Sequence, residues 1–386
     1  MVEKATQRIR TAQSCAADPR RAVLEFYKEV VQPDAELVLF FCSSLYDLDE
    51  VAREMRRLFV GVTVVGCTTA GEIGPAGYRD HSISGVSFPA GVCTAVTGHL
   101  DRLQSFGIAR GRDFAKDLFS RLEDRTAITF RNTFGFMMID GLSVREEVVA
   151  HVLQASLGGI PLVGGSAGDG MRFSRTQVYF DGRFHADSAV LVLVTTTLPF
   201  SPFKIQHIMP EAERMVVTEA NPKQRLVREI NGRPAAREYA RMAGVSPDRL
   251  SPDCFATSPV VVLIDGSHYV RSIQKVNADG SLTFYCAIEE GLVLRAAHGR
   301  DLEANLARAL EGLEKSLGPL QLVLGCDCIL RKLEIVHQGL QNSVEKILTG
   351  VNTVGFNTYG EQFRGIHINQ TLTGIAIGNP GESSDA

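Results

Sequence analysis

The sequence predicts a mixed α/β (α+β) protein built from repeated β-α-β-β modules, whose mixed sheets are flanked by helices and divided between two domains. Three observations carry this. Residues 35–42 read as an apolar strand interrupted only by Glu36, followed by a segment with helical spacing and then a second apolar run. The same order returns at residues 134–163 and 320–354. Each second run enters a glycine-rich segment, residues 66–72, 164–169 and 355–361. A chain of 386 residues that is 45% hydrophobic also exceeds the roughly 250–300 residues at which one core stops growing. Two domains are expected, residues 31–225 and 226–378.

In chain order, residues 22–31 predict a helix and 35–42 a strand buried on both faces. Residues 47–59 predict a helix capped by Asp47 or Asp49, with Val51, Met55 and Leu58 along its apolar stripe. A strand over 61–65 leads into a turn at 66–72, where glycines accompany small hydroxyl residues. Residues 82–88 and 92–98 alternate like a hairpin about Pro89-Ala90-Gly91. The second copy has a strand at 134–140, a helix at 145–157, a strand at 160–163 and a turn at 164–169; Asp181-Gly182 then turns one strand into another at 189–194. The third has a strand at 320–325, a helix at 334–348, a strand at 351–354, a turn at 355–361 and a closing strand at 371–377 patterned like 82–88. Between the second and third copies lie strands at 216–218 and 226–230 joined through Asn221-Pro222, an Asn231-Gly232 turn, a helix at 234–242, strands at 260–264, 270–275 and 282–286, and a helix at 302–317. The domain boundary is expected near 225, and the polar tail 381–386 is expected to fray.

A net charge of -4 with 22% charged residues offers no basic field for a phosphate backbone, which argues against a nucleic-acid partner. No apolar stretch of seven or more follows Lys4, Arg8 and Arg10, so a secretory signal is not expected. The longest apolar runs, such as 189–194 and 259–264, are about a third of the roughly 18 residues needed to span a bilayer. The expected location is cytoplasmic, with the eight cysteines reduced and buried.

Several constellations carry chemistry. Gly164-Gly165-Ser166-Ala167-Gly168 has the spacing of a serine nucleophile elbow, and Asp265 or Asp327 with His337 or His367 completes a chain order for a hydrolase. Against it, residues 169–171 lead toward more strand where an elbow opens into a helix, and the other copies carry no serine there. Cys326 and Cys328, with Cys254 and Cys286, are read either as zinc thiolates or as packed core thiols. His81, His185 and His367 each shortly precede the closing strand of a module, and His207 lies between Ile205 and Ile208. A neutral imidazole beside an apolar cleft can ligate haem iron; a hydrogen-bonded or solvated histidine is the competing reading for each.

Residues 64–73, 163–169, 229–235 and 355–378, in that order, resemble the FIST sensory domains, N-terminal and C-terminal, over residues 31–378. The resemblance implies a ligand-sensing unit of signal transduction and no enzyme. Residues 360–371 are similar to the stand-alone bacterial nitric-oxide-sensing haem proteins (NosP) of that family. That likeness implies a haem b cofactor, nitric oxide as diatomic ligand and a sensor histidine kinase as partner in trans. Nitric oxide would then weaken the proximal bond and alter the surface offered to the kinase. The axial ligand is expected first at His367, then His207, His185 and His81, with Arg271 or Arg364 facing the propionates. The alternative is a sensor of a small organic ligand such as an amino acid, its carboxylate received by backbone N–H groups of the turns at Gly66, Gly71, Gly164, Gly165, Gly168, Gly355 and Gly360. Homo-oligomerisation is left open.

Overall fold

The computed structural model describes residues 8–264 and 266–379. Asp265 and the tail 381–386 lie outside the described residues. Three six-stranded sheets form the core, and they share one plan. In each, a parallel pair of strands is joined through helix, one in the first two and two in the third: Ala35–Ser43 with Thr63–Thr69, Thr133–Ile139 with Leu162–Ser166, and Leu320–Cys328 with Thr353–Thr358. A closing strand lies antiparallel beside the first of each pair, Ile83–Pro89, Ala189–Thr196 or Leu372–Gly378. Outside it runs the strand that opens the module, Arg10–Ser14, Cys93–Leu100 or Phe200–Ile205.

The far edge of each sheet is completed by a hairpin from another module. Glu72–Gly74 and Gly77–Arg79 of the first module pair with Thr353–Thr358 of the third. Glu361–Phe363 and Ile366–Ile368 of the third pair with Leu162–Ser166 of the second, and Val178–Phe180 and Arg183–His185 of the second pair with Thr63–Thr69 of the first. The exchange therefore closes in a ring, which covers one edge of every sheet.

Alternation explains why the parallel strands read as apolar runs. Leu37, Leu39 and Phe41 turn inward to a cluster shared by all three modules, while Val38, Phe40 and Cys42 turn outward beneath the helices Pro19–Val30 and Leu48–Leu58. Phe134, Phe136 and Met138, and Leu322, Leu324 and Cys326, do the same. Phe41 stacks on Phe356 at 4.6 Å between centroids and approaches Phe136 at 6.4 Å, so one ring contacts both other modules; a stacked pair adds about 0.5–1.5 kcal/mol beyond its burial.

Between the opening strand of the third module and its helix Leu302–Leu317, residues 208–299 form a separate eight-stranded antiparallel sheet, with Ile208–Asn221 near its middle. Arg225, where a boundary is expected, follows the turn Pro222–Gln224 and precedes the strand Leu226–Ile230.

Several expectations are corrected. Residues 66–69, 164–166 and 355–358 are strand, and the turns shrink to short links such as Ala70-Gly71. The glycines permit this by close packing: a Cβ at Gly66, Gly164 or Gly355 would lie 2.4, 2.0 or 1.9 Å from the carbonyl oxygen of Phe40, Met137 or Gly325 on the parallel neighbour. Ile83–Pro89 and Cys93–Leu100 are not a hairpin; they belong to different sheets, because residues 90–92 link the end of one module to the start of the next. Asp181-Gly182 joins the two short strands of the exchanged hairpin rather than leading to Ala189–Thr196. The expected helix over 334–348 is two helices, Ile329–His337 and Gln341–Gly350, broken at Gly339, whose φ of +69° ends the first. Residues 270–275 span two strands, Ser267–Arg271 and Ile273–Val276.

Candidate functional site

The repeat provides an internal control for locating a site. The three exchanged hairpins dock in the same register: Ile73 lies opposite Gly355, Tyr179 opposite Gly66, and Gln362 opposite Gly164. Their partners across each hairpin are Tyr78, Phe184 and His367. Tyr78 and Phe184, not His81 and His185, are therefore the counterparts of His367.

The three equivalent places have different chemistry. Tyr179 and Phe184 fill theirs with aromatic packing against Phe40, at 5.0 and 6.2 Å between centroids. Tyr78 donates to Asp327 at 2.6 Å, and Asp327 in turn pairs with Arg331 at 3.1 Å. In the third, Gln362 bridges Ser166 Oγ at 2.9 Å and His367 Nδ1 at 3.1 Å, yet its Oε1 and His367 Nε2 have no partner although both residues are buried. At the first two junctions the hairpin pair itself is apolar or hydrogen-bonded, although Arg331 Nε and Asn357 Oδ1 beside Asp327 are also unpartnered; at the third, both members of the pair, Gln362 and His367, keep a buried polar atom without a partner.

The 208–299 unit covers that junction. Arg271 donates to the His367 carbonyl at 3.2 Å, Ser272 N–H to Asn369 at 3.3 Å, and Gln370 to the Ala256 carbonyl at 2.7 Å. Arg225 reaches into the core, meeting Glu146 at 2.6 Å and Glu147 at 2.5 Å while donating to the Tyr285 carbonyl. Unpartnered polar atoms accumulate here: Nε of Arg225 and Arg271, Ser272 Oγ and Gln370 Oε1 join the two on Gln362 and His367. Leaving a buried polar atom unbonded costs about 1–3 kcal/mol, so such a cluster calls for an explanation.

Burial lowers the His367 pKa to about 4; Glu147 pulls it back up, and the charges of Arg225 and Arg271 add to the depression. The ring is neutral at neutral pH. Burial raises Glu146 to about 7 despite Arg225, whereas Glu147, also opposed by burial but facing His367 and Arg225, stays well below the usual carboxylate range.

Of the residues singled out from sequence, His367 and Arg271 come together here. His207 instead faces Glu334, with Nε2 2.9 Å from both carboxylate oxygens. His185 approaches the Phe180 carbonyl at 3.1 Å and the ring of His99 at 4.5 Å. His81 packs on Tyr46 at 4.3 Å, and Arg364 lies exposed over Phe363. The glycines make close contacts between strands and modules: a Cβ at Gly165 would lie 2.6 Å from Thr358, at Gly168 2.7 Å from Ala70 N, at Gly71 2.5 Å from Lys332 Nζ, and at Gly360 2.2 Å from His367 Cε1. The Gly168 N–H donates to the Thr68 carbonyl and the Gly71 N–H to Thr69 Oγ1. Ser166 is fully buried at the end of a strand; its hydroxyl meets Gln362, and no helix follows it directly.

Gln362, Arg225, Glu146 and Glu147 were not singled out from sequence. Only Gln362 carried a usable signal, since it is two residues from Gly360 in the segment 360–371 that the sequence resemblance sets apart.

Comparison with protein families decides the kinship of this architecture. The FIST N domain profile matches residues 36–233 and the FIST C domain profile residues 235–364. The chain belongs to the FIST family. FIST domains are sensor domains of signal transduction. The FIST N match thus takes in the first module from residue 36 and the whole of the second, while FIST C takes in most of the inserted sheet and the His367-bearing module up to residue 364. No curated protein matches this FIST chain in the same comparison. Among the described residues no helix is long and apolar enough to cross a membrane.

Proposed function

We propose that this FIST chain is a cytoplasmic sensor that binds haem b through His367, responds to nitric oxide and passes its state to a sensor histidine kinase in trans. The observation that carries the reading is a buried, neutral imidazole whose Nε2 has no side-chain partner and whose ring is approached only loosely by the Tyr285 backbone, since the neutral ring is the form that ligates iron. Gln362 sits against Nδ1. In the structure the amide nitrogen faces Nδ1 and also donates to the Gly360 carbonyl at 3.3 Å; metal binding would require the amide to rotate so that its oxygen accepts from Nδ1–H, leaving the Nε2 lone pair for a metal. Arg271 and Arg225 supply guanidiniums of the kind that hold propionates. When bound, the group supplies an iron that takes up a diatomic gas.

None of five surface cavities of about 320 to 560 Å³ reaches His367. In this reading a ligand as large as haem would be admitted by the 208–299 unit lifting from the core, with loss of the Arg225 contacts to Glu146 and Glu147. That requirement couples occupancy to the position of a whole domain, which is what a signalling surface needs. The test is an absorption spectrum after haem reconstitution. A Soret band in the wild type that is lost in His367→Ala supports the reading; no band in the wild type overturns it.

A second reading, a small organic acid such as an amino acid, is favoured by the unpartnered Nε atoms of Arg225 and Arg271 beside Ser272. Two guanidiniums suit a carboxylate, and a small ligand needs less opening. A thermal-shift screen with amino acids distinguishes it, because a ligand at 100 times its Kd stabilises by about 2.7 kcal/mol.

A further inference from the structure

The pseudo-equivalence of the modules also marks a second place. Each exchanged hairpin turns at a glycine of positive φ that packs on the helix of the module receiving it: Gly77 against Glu345, Gly182 against Arg56 and Gly365 against Gln154. In the first two, opposite charges share the junction. Arg79 approaches Glu345 at 3.7 Å, and Asp181 lines the same crevice as Arg56. The third differs. Its crevice, of about 560 Å³, is lined by Arg131 and Arg364 and by no acidic residue. Gln154 is neutral and fully used, donating to the Gly158 and Ile160 carbonyls and accepting from Leu162 N–H.

Neither guanidinium forms an ion pair among the described residues. Each lies over a phenyl ring, Arg131 5.6 Å from the Phe130 centroid and Arg364 5.7 Å from that of Phe363. The rest of the lining is largely apolar: Phe130, exposed at 62%, with Phe200, Pro161 and Pro202. Arginine forks match the oxygens of a phosphate, and two of them match a dianion. Aromatic and proline side chains in the lining suit contact with a planar ring, and the volume lies within the usual 300–1,000 Å³ of small-molecule sites.

We propose that this crevice binds a phosphomonoester carrying a planar ring, such as a nucleoside monophosphate, through Arg131 and Arg364. The site is separate from His367 and does not rest on the haem reading.

The test is calorimetric titration of the full chain with AMP, adenosine and inorganic phosphate. Saturable 1:1 binding of AMP is expected, with adenosine and inorganic phosphate each at least about tenfold weaker, a loss of the order expected for removing one charge-assisted contact set. The R131Q/R364Q double variant should weaken AMP by about a hundredfold or more, with unchanged thermal melting because both side chains are exposed. No heat with AMP at millimolar concentration, equal binding by adenosine or by phosphate, or undiminished binding by the folded double variant would each overturn the proposal. A failed haem reconstitution would leave it standing.

Discussion

Gln362 lies 3.1 Å from His367 Nδ1 and directly opposite it across one hairpin, where the two counterpart junctions hold Ile73–Tyr78 and Tyr179–Phe184. The amide determines what the imidazole offers. With its nitrogen toward Nδ1, the outer Nε2 carries the proton and can only donate; with its oxygen there, Nε2 presents a lone pair. Gln362→Leu leaves Ser166 Oγ and His367 Nδ1 without this partner and should cost about 1–3 kcal/mol in denaturant unfolding. Gln362→Glu places a carboxylate against Nδ1 and should raise the His367 pKa above its value of about 4, which a nitrogen-detected NMR titration reads directly.

Arg225 ties the inserted sheet to the helix Glu146–Leu157 of the second module. Arg225→Ala leaves Glu146 buried beside Glu147 without its cation and should destabilise by about 3–5 kcal/mol. Hydrogen exchange should show the loss concentrated in residues 208–299 and at the covering contacts of residues 367–370. Uniform loss across all three modules would mean that the clasp does not hold this unit in particular.

Two carboxyls make stability depend on pH. Burial raises Glu72 to about 7 and Glu361 to about 8, outweighing hydrogen bonds from Thr69 and Ser82 to the first and from Thr358 and Thr371 to the second. An unfolded carboxyl titrates near 4.3, so between about pH 5 and 8 the folded chain retains protons that the unfolded chain has released. Stability should fall as pH rises through that window, by up to about 1.4 kcal/mol per pH unit for each group. The E72Q/E361Q variant should lose much of this slope in melts taken from pH 5 to 8.

Glycine substitutions should divide sharply. Gly355→Ala brings a methyl group to 1.9 Å from the Gly325 carbonyl oxygen, and an overpacked strand interior should cost at least about 1–3 kcal/mol. Gly312→Ala, on the helix Leu302–Leu317 with nothing within 4 Å of the added carbon, should instead stabilise by about 0.5–1 kcal/mol. Urea midpoints of the two variants should move in opposite directions.

Much of the fold was legible in the sequence because its elements are set locally. Residues 37–42 and the central parts of their counterparts are apolar on both faces, Asp47 caps its helix, and three glycine-bearing strand ends recur in order. Those signals were enough to identify the repeated modules and the FIST resemblance. Tertiary structure alone decided which module receives each hairpin, because strand pairing between residues such as Gln362 and Gly164 leaves no local mark in either segment. The same limit applies to the candidate site. His367 was visible as a histidine before a closing strand, but its burial and unpartnered Nε2 arise only when Arg225 and Arg271, more than ninety positions earlier in the chain, are brought over it by the inserted sheet.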